Sequence, residues 1–223
     1  MSLPRYLTVE LLSDTTFSSG GRTPGVVDLD VTATPDGLPY VRGKTLHGLL
    51  REAWLGMRPV FGGLEQAAAT LLGEEGDREE RAILRLGNAH LDEQTRDWAR
   101  YAVGREKYPL HPEDVLRTLT DVRAQTARAR ETGGAPETGT LRASRVILRG
   151  TTFHAPLTFL REPGSDELRC LALCTLATRH GGLARNRGRG LLHCLLDGDR
   201  SATLALAGLD PAGSQAGPKE AAG

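Results

Sequence analysis

Apolar and polar positions alternate along the first part of the chain and then switch to a helical rhythm. Tyr6 to Ser13 carries β-branched and apolar residues in partial alternation and reads as a first strand. A polar, glycine-containing stretch from Asp14 to Gly25 follows. In 26–31, Val27, Leu29 and Val31 fall on one side and Asp28 and Asp30 on the other, the period of a half-exposed strand or an extended loop. Those two carboxylates then share a face. Pro35-Asp36-Gly37 signals a turn. From Leu46, apolar residues at 46, 49, 50, 53 and 54 follow helical spacing, with Thr45 or its neighbour as the natural N-cap. Arg42 and Lys44 stand just before that helix, and a helix N-terminus with basic residues beside it suits an anion.

Beyond residue 57 the pattern loosens. Helical patches at Leu64–Leu72 and Glu93–Tyr101 bracket an acidic stretch and a strand-like Ile83–Ala89, so residues 57–115 read as an insertion. Glu113 to Arg123 predicts a short helix. Two basic arms, Arg123–Arg128 and Leu141–Ile147, flank a Gly, Pro and Thr-rich centre and predict a projecting hairpin over about 123–149. Thr151–Phe159 is a strand whose Pro156 puts it at an edge or a bulge. Glu167–Thr178 reads as an apolar helix and Leu191–Leu196 as a last strand. The segment 210–223, rich in Ala, Gly, Ser and Pro, predicts a disordered tail after a single domain spanning 1–209. Strand, helix, insertion, strand, helix, strand is the order of a split β-α-β unit, an α+β fold of the ferredoxin-like, RRM-like kind.

Composition changes this picture in one respect. The 223 residues hold 28 basic and 28 acidic side chains, so no global charge announces a polyanion partner. The distribution is uneven: 65–100 holds nine acidic and five basic residues, whereas 117–149 holds seven arginines against Asp121, Glu131 and Glu137. Aromatics make up only 4%, which argues against base stacking as the main mode and toward backbone contact. Three cysteines make neither a disulfide framework nor a metal set, no signal segment opens the chain, and no apolar run reaches a membrane span, so a cytoplasmic protein is expected.

The strongest local feature is the loop from Gly181 to Gly190, between the second apolar helix and the last strand. It sets Arg185, Arg187 and Arg189 among Gly181, Gly182, Gly188 and Gly190, with no acidic residue from Arg179 to Leu196. Glycines allow close approach of a backbone to phosphate, and arginines add bidentate, charge-assisted bonds, so polyanion contact is the expectation. The six histidines are dispersed, with no paired ligand spacing, and Cys170 and Cys174 fall on an apolar helix as core.

The segment Gly37 to Arg51, read with this late Gly/Arg loop, resembles the RAMP superfamily of CRISPR-associated proteins. There a similar segment opens the first helix and a glycine-rich loop precedes the last strand. Arg42 stands where that family usually has proline and His47 where it has lysine. Gly25 to Asp30 resembles the loop of the backbone subunits of type III (Csm and Cmr) effectors, in which an aspartate cuts target RNA. The resemblance implies a guide-RNA-binding backbone subunit that stacks with copies of itself and other effector subunits and cleaves the paired target RNA at regular intervals. It implies Asp28 as the catalytic residue, with Asp30 the weaker candidate, and a divalent metal, Mg²⁺ or Mn²⁺, at Asp28. Expected RNA contacts are Arg42, Gly43, Lys44, Thr45, His47 and Arg51, then Arg123, Gln125, Thr126, Arg142 and Arg145 on a thumb hairpin, then Arg185, Arg187 and Arg189. The alternatives are a non-catalytic structural subunit and a guide-processing endoribonuclease working through His47 or His180.

Overall fold

The computed structural model describes residues 2–18, 20–21, 27–73, 82–125 and 142–209. The predicted tail and the hairpin tip, with Thr126, lie outside the described residues. The first strand, β1 (Tyr6–Leu11), turns Leu7, Val9 and Leu11 inward, all at 1% exposure or less. This is the alternation read from the sequence, and it fixes which face of the sheet is apolar. Helix α1 (Gly43–Met57) lays Leu46, Leu49, Leu50 and Trp54 on that face. A short 3₁₀ turn leads into α2 (Glu65–Leu72), and then come β2 (Leu84–Leu86), α3 (Glu93–Gly104) and α4 (Pro112–Leu119). Strands β3 (Thr120–Gln125) and β4 (Arg142–Ile147) pair antiparallel as a separate two-stranded sheet. The chain ends through β5 (Thr152–Phe159), α5 (Ser165–Ala177), β6 (Leu192–Leu196) and α6 (Arg200–Ala207), a helix that the sequence pattern did not announce and that Asp199 caps through the Ala202 amide.

The main sheet runs β2-β5-β1-β6, antiparallel throughout. Helix α5 touches α1, α2, α6 and β6, which explains why its Cys170 to Thr175 stretch is buried almost all round rather than amphipathic. Burial pushes the Cys194 thiol up to about 12, so it stays neutral and packs as an apolar group.

Three expectations change or narrow. Part of 57–115 is integral to the core: β2 completes the sheet beside β5, and Ala68, Leu71 and Leu72 of α2 are buried against it. Of the two places expected for the Pro156 strand, an edge or a bulge, the structure takes the bulge, with β5 interior between β2 and β1. Its Pro156 is tolerated because pairing slips by one residue there: Leu86 faces Leu157 and His90 faces His154, four steps on one side against three on the other. The Gly87 amide donates to the Pro156 carbonyl at 2.9 Å, and a Cβ on Gly87 would sit 2.6 Å from the proline ring. Third, α1 starts at Gly43 with Arg42, not Thr45, as its N-cap and without a side-chain cap of its own. Tertiary contact fixes the start: a Cβ at Gly43 would lie 2.2 Å from the Leu86 carbonyl oxygen, and the Gly43 amide donates to Asn88 Oδ1 at 3.0 Å.

At the start of α5, Glu167 accepts from the Gly164 amide at 2.8 Å and pairs with Arg161. The Arg161 guanidinium and that amide hold the Glu167 carboxyl below its ordinary range, against an opposing effect of burial. A depressed carboxylate contributes stability that is full above its unfolded pKa and is lost as pH falls through the folded value. Thermal melts should therefore show wild type losing its margin over Glu167→Gln as pH drops below about 4. A constant margin across that window would remove Glu167 from the acid response.

Candidate nucleic-acid interface

The polar stretch after β1 is the hub of the site, a role the sequence did not signal. Thr15 exchanges backbone bonds with Ile147 of β4 at 3.0 and 2.8 Å, and Thr16 Oγ1 donates to the Arg145 carbonyl at 3.0 Å. Asp14 accepts from Arg123 at 2.9 Å and from the Arg149 amide at 3.2 Å, while its carbonyl receives the Gly190 amide at 3.2 Å. One short segment thus fastens the β3–β4 sheet and the Gly/Arg loop to the main sheet.

The loop's glycines serve its own fold. A Cβ at Gly190 would sit 2.0 Å from the Gly181 carbonyl oxygen, and one at Gly182 would sit 2.6 Å from that of Thr16. The Gly181 amide donates to Gly190 and the Leu183 amide to Thr16. The expectation that these glycine amides are presented to phosphate is therefore corrected for Gly181 and Gly190, whose N–H groups are spent inside the protein. Gly188 differs, since it has open space around it. The arginines stand outward from this frame. Arg185 and Arg187 are exposed, Arg185 meeting Glu52 of α1 at 2.7 Å, and Arg189 donates to Ser144 Oγ of β4 at 3.2 Å.

The loop therefore joins the two motifs singled out in the sequence, but along the helix rather than at its start. Glu52 is ten residues from Arg42, about 15 Å along the axis. Arg42, Lys44 and Thr45 are exposed at the β2 end, where Asn88 already takes the first helix amide. His47 and Arg51 are half-buried, and Arg51 lines a cleft of about 460 Å³ with Trp54, Arg58 and Glu65.

The Asp28 segment runs beside β4. The Asp28 amide donates to the Ala143 carbonyl at 2.8 Å, and the Ala143 amide donates back to Asp28 Oδ2 at 2.8 Å. The Arg145 amide donates to the Leu29 carbonyl at 2.9 Å. Asp28 is exposed. Asp30 is not its equal: its Oδ1 accepts from Arg145 Nε at 2.9 Å and from the Val31 amide at 2.8 Å. The two carboxylates do not act as one exposed pair, because Asp30 turns in toward an arginine. Arg145 itself, expected to touch RNA, is only 2% exposed, with Nη2 on Glu113 of α4 at 2.8 Å, and its guanidinium is enclosed by these partners. Arg123 is bound to Asp14 and Asp121, Arg142 is exposed, and Gln125 closes the β3–β4 register opposite it.

Among the described residues no three His, Cys, Asp or Glu side chains converge as a metal set. Asp28 offers one exposed carboxylate, which is no site by itself. A hard cation such as Mg²⁺ commonly binds one or two carboxylates and completes its shell with water and substrate phosphate, and that is the only way this donor set would hold one. His90 stacks on Tyr40 with ring centroids 5.3 Å apart, and burial lowers its pKa so that the ring stays neutral at physiological pH.

The RAMP superfamily model matches residues 8–193. No curated protein matches the chain. Among solved structures it is similar to a chain of the Type III-B Cmr-beta complex bound to cognate target RNA, by cryo-EM, at 13% identity and TM-score 0.63, covering 86% of this chain and 96% of that one. It is also similar to a chain of the apo state of Type III-B Cmr-beta, at 12% identity and TM-score 0.64, covering 88% and 98%. At such identities the likeness is one of fold, and among the described residues no helix is long and apolar enough to cross a membrane. With a superfamily match that runs from within β1 into β6, over both the Asp28 segment and the Gly/Arg loop, the chain belongs to the RAMP superfamily.

Proposed function

We propose that this chain is a guide-RNA-binding backbone subunit of a type III CRISPR effector and that Asp28 is the catalytic residue for cleavage of the paired target RNA. The observation that carries this reading is the seating of Asp28: its backbone and one carboxylate oxygen are held on β4 while the residue remains exposed beside the β3–β4 pair. The β2-β5-β1-β6 order, with α1 after the first strand and α5 before the last, supports a ferredoxin-like core, and β3–β4 is the base of the thumb. Guide RNA lies along the exposed Arg185 and Arg187 and the outer side of α1. The Cmr-beta neighbours support target RNA and other effector subunits as its partners, and copies of itself belong to the same proposal.

The chain's part in the chemistry is positional. The thumb holds one nucleotide of the target out of the duplex, and the Asp28 carboxylate orients the attacking 2′-hydroxyl against the scissile phosphate. A divalent ion held between Asp28 and the RNA phosphate would supply charge neutralisation at that phosphate.

Effector complex purified with its guide should cut a labelled complementary RNA into a ladder of even spacing, in Mg²⁺ or Mn²⁺ and not in chelator. Guide protection without any cutting would establish the non-catalytic reading instead, and chelator-resistant cutting of repeat RNA by the isolated chain, lost in His47→Ala, the processing reading. Guide affinity should fall linearly on a log–log plot against salt, and Arg187→Ala should reduce the slope by about 0.7, one single-strand phosphate contact. An unchanged slope removes Arg187 from the RNA path.

A further inference from the structure

We infer that Arg145 is a positioning residue for Asp28, a load shared with Asp30 and Glu113, and that none of the three touches RNA. This inference rests on the reading of Asp28 as catalytic. Its basis is the way one buried guanidinium spans segments that are otherwise separate. Arg145 Nε reaches Asp30 in the Asp28 segment at 2.9 Å, Nη2 reaches Glu113 on α4 at 2.8 Å, and Nη1 reaches Thr120 Oγ1 at the start of β3 at 3.4 Å. Its own backbone adds the bond to Leu29 and receives Thr16 Oγ1. Side-chain exposure is 3% for Arg145 and 15% for Asp30.

Asp28 lies two residues from each end of this arrangement, two before Asp30 in its own segment and opposite Ala143, two before Arg145 on β4. No strand ladder of the main sheet holds the Asp28 segment. Among the described residues its backbone is held by the parallel bridge of Leu29 with Ser144, the bridge of Val31 with Ser18, the Asp28 and Leu29 amides on the Ala143 carbonyl, the Arg145 amide on the Leu29 carbonyl and the Asp30 amide on the Gly21 carbonyl. An extended segment outside the ladders of the main sheet takes part of its position from side-chain anchors. Arg145 is the anchor that joins it at once to β4, β3 and α4. Because Arg presents a planar fork, it can meet Asp30, Thr120 and Glu113 together, whereas lysine can replace the charge but not the fork. The carboxylate of Asp28 is thereby registered against the thumb base, and a shift of about 1 Å there is enough to cost a large factor in rate.

The test uses the guide-loaded complex carrying Arg145→Lys, Asp30→Asn or Glu113→Gln, with Asp28→Ala alongside. Arg145→Lys and Asp30→Asn should lower single-turnover cutting at saturating target by about tenfold or more. Glu113→Gln, on the exposed side of the network, should give a smaller loss of the same sign. Guide affinity and its salt slope should match wild type for all three. Wild-type rates in folded Asp30→Asn and Glu113→Gln complexes overturn the inference, as does a salt slope reduced in Arg145→Lys, which would make Arg145 an RNA contact. A drop in melting temperature with an unchanged saturating rate would mark the network as purely structural and overturns it too. If Asp28→Ala itself cuts at the wild-type rate, the reading of Asp28 falls, and the inference falls with it for that separate reason.

Discussion

Asp28→Ala is expected to leave guide and target bound while cutting of the target falls by about 100-fold or more, read as loss of the fragment ladder in single-turnover assays. The fold should survive. Asp28 is exposed, and truncation removes one side-chain hydrogen bond, that from the Ala143 amide, worth about 1 kcal/mol. The backbone bond from the Asp28 amide to the Ala143 carbonyl remains, so the segment keeps its register on β4. Asp28→Asn separates two roles that alanine removes together. It keeps an oxygen able to accept from Ala143 but loses the negative charge, so a role in orienting a hydroxyl or holding a cation predicts the same loss of cutting. Cutting retained by Asn would reduce Asp28 to a strut for the loop. Cutting retained by both variants would leave a structural RNA-binding subunit.

Gly190→Ala should cost about 3 kcal/mol or more and abolish tight guide binding, measured by thermal melting and by RNA titration. Two effects combine. Gly190 has a φ of +75°, which strains any L side chain, and its added Cβ would lie 2.0 Å from the Gly181 carbonyl oxygen. Relief would break the Gly181–Gly190 backbone bond that closes the loop and carries Arg185, Arg187 and Arg189. Gly188→Ala is the internal control. It shares the φ of +75° but meets nothing within 4 Å, so only the conformational strain of about 1–2 kcal/mol remains. Equal losses at 188 and 190 would show that close packing does not organise the loop.

Much of the fold was legible. Alternation in Tyr6–Leu11 and helical spacing through Leu46, Leu49, Leu50 and Trp54 named their elements, because burial on one face imposes those periods directly. The β3–β4 pairing was legible from two basic arms around a glycine-rich centre, but Thr120 to Arg123, expected as the end of a helix, belongs to β3, since α4 stops at Leu119. Edge and interior were less so. Pro156 left an edge or a bulge open, and only the fold chose: β5 is interior, and the register slip beside Gly87 is the bulge that removes the need for the missing N–H. The start of α1 lies three residues before the one expected, because its first amide is taken by Asn88, distant in sequence.

The site divides along the same line. Sequence by itself determined the superfamily resemblance, the two alternating aspartates of an extended segment and the concentration of arginine in one loop and one hairpin, because these are matters of residue type and local spacing. It did not determine which charges face solvent. Arg145 and Arg187 are the same residue in similarly basic stretches, and only packing makes the first a buried tie between Asp30 and Glu113 and leaves the second exposed. Asp28 and Asp30 alternate alike, yet Asp30 is consumed by that arginine and Asp28 is not. The physical reason is desolvation: an arginine taken out of water needs carboxylates around it, and which ones it finds depends on segments that meet only when the chain has folded.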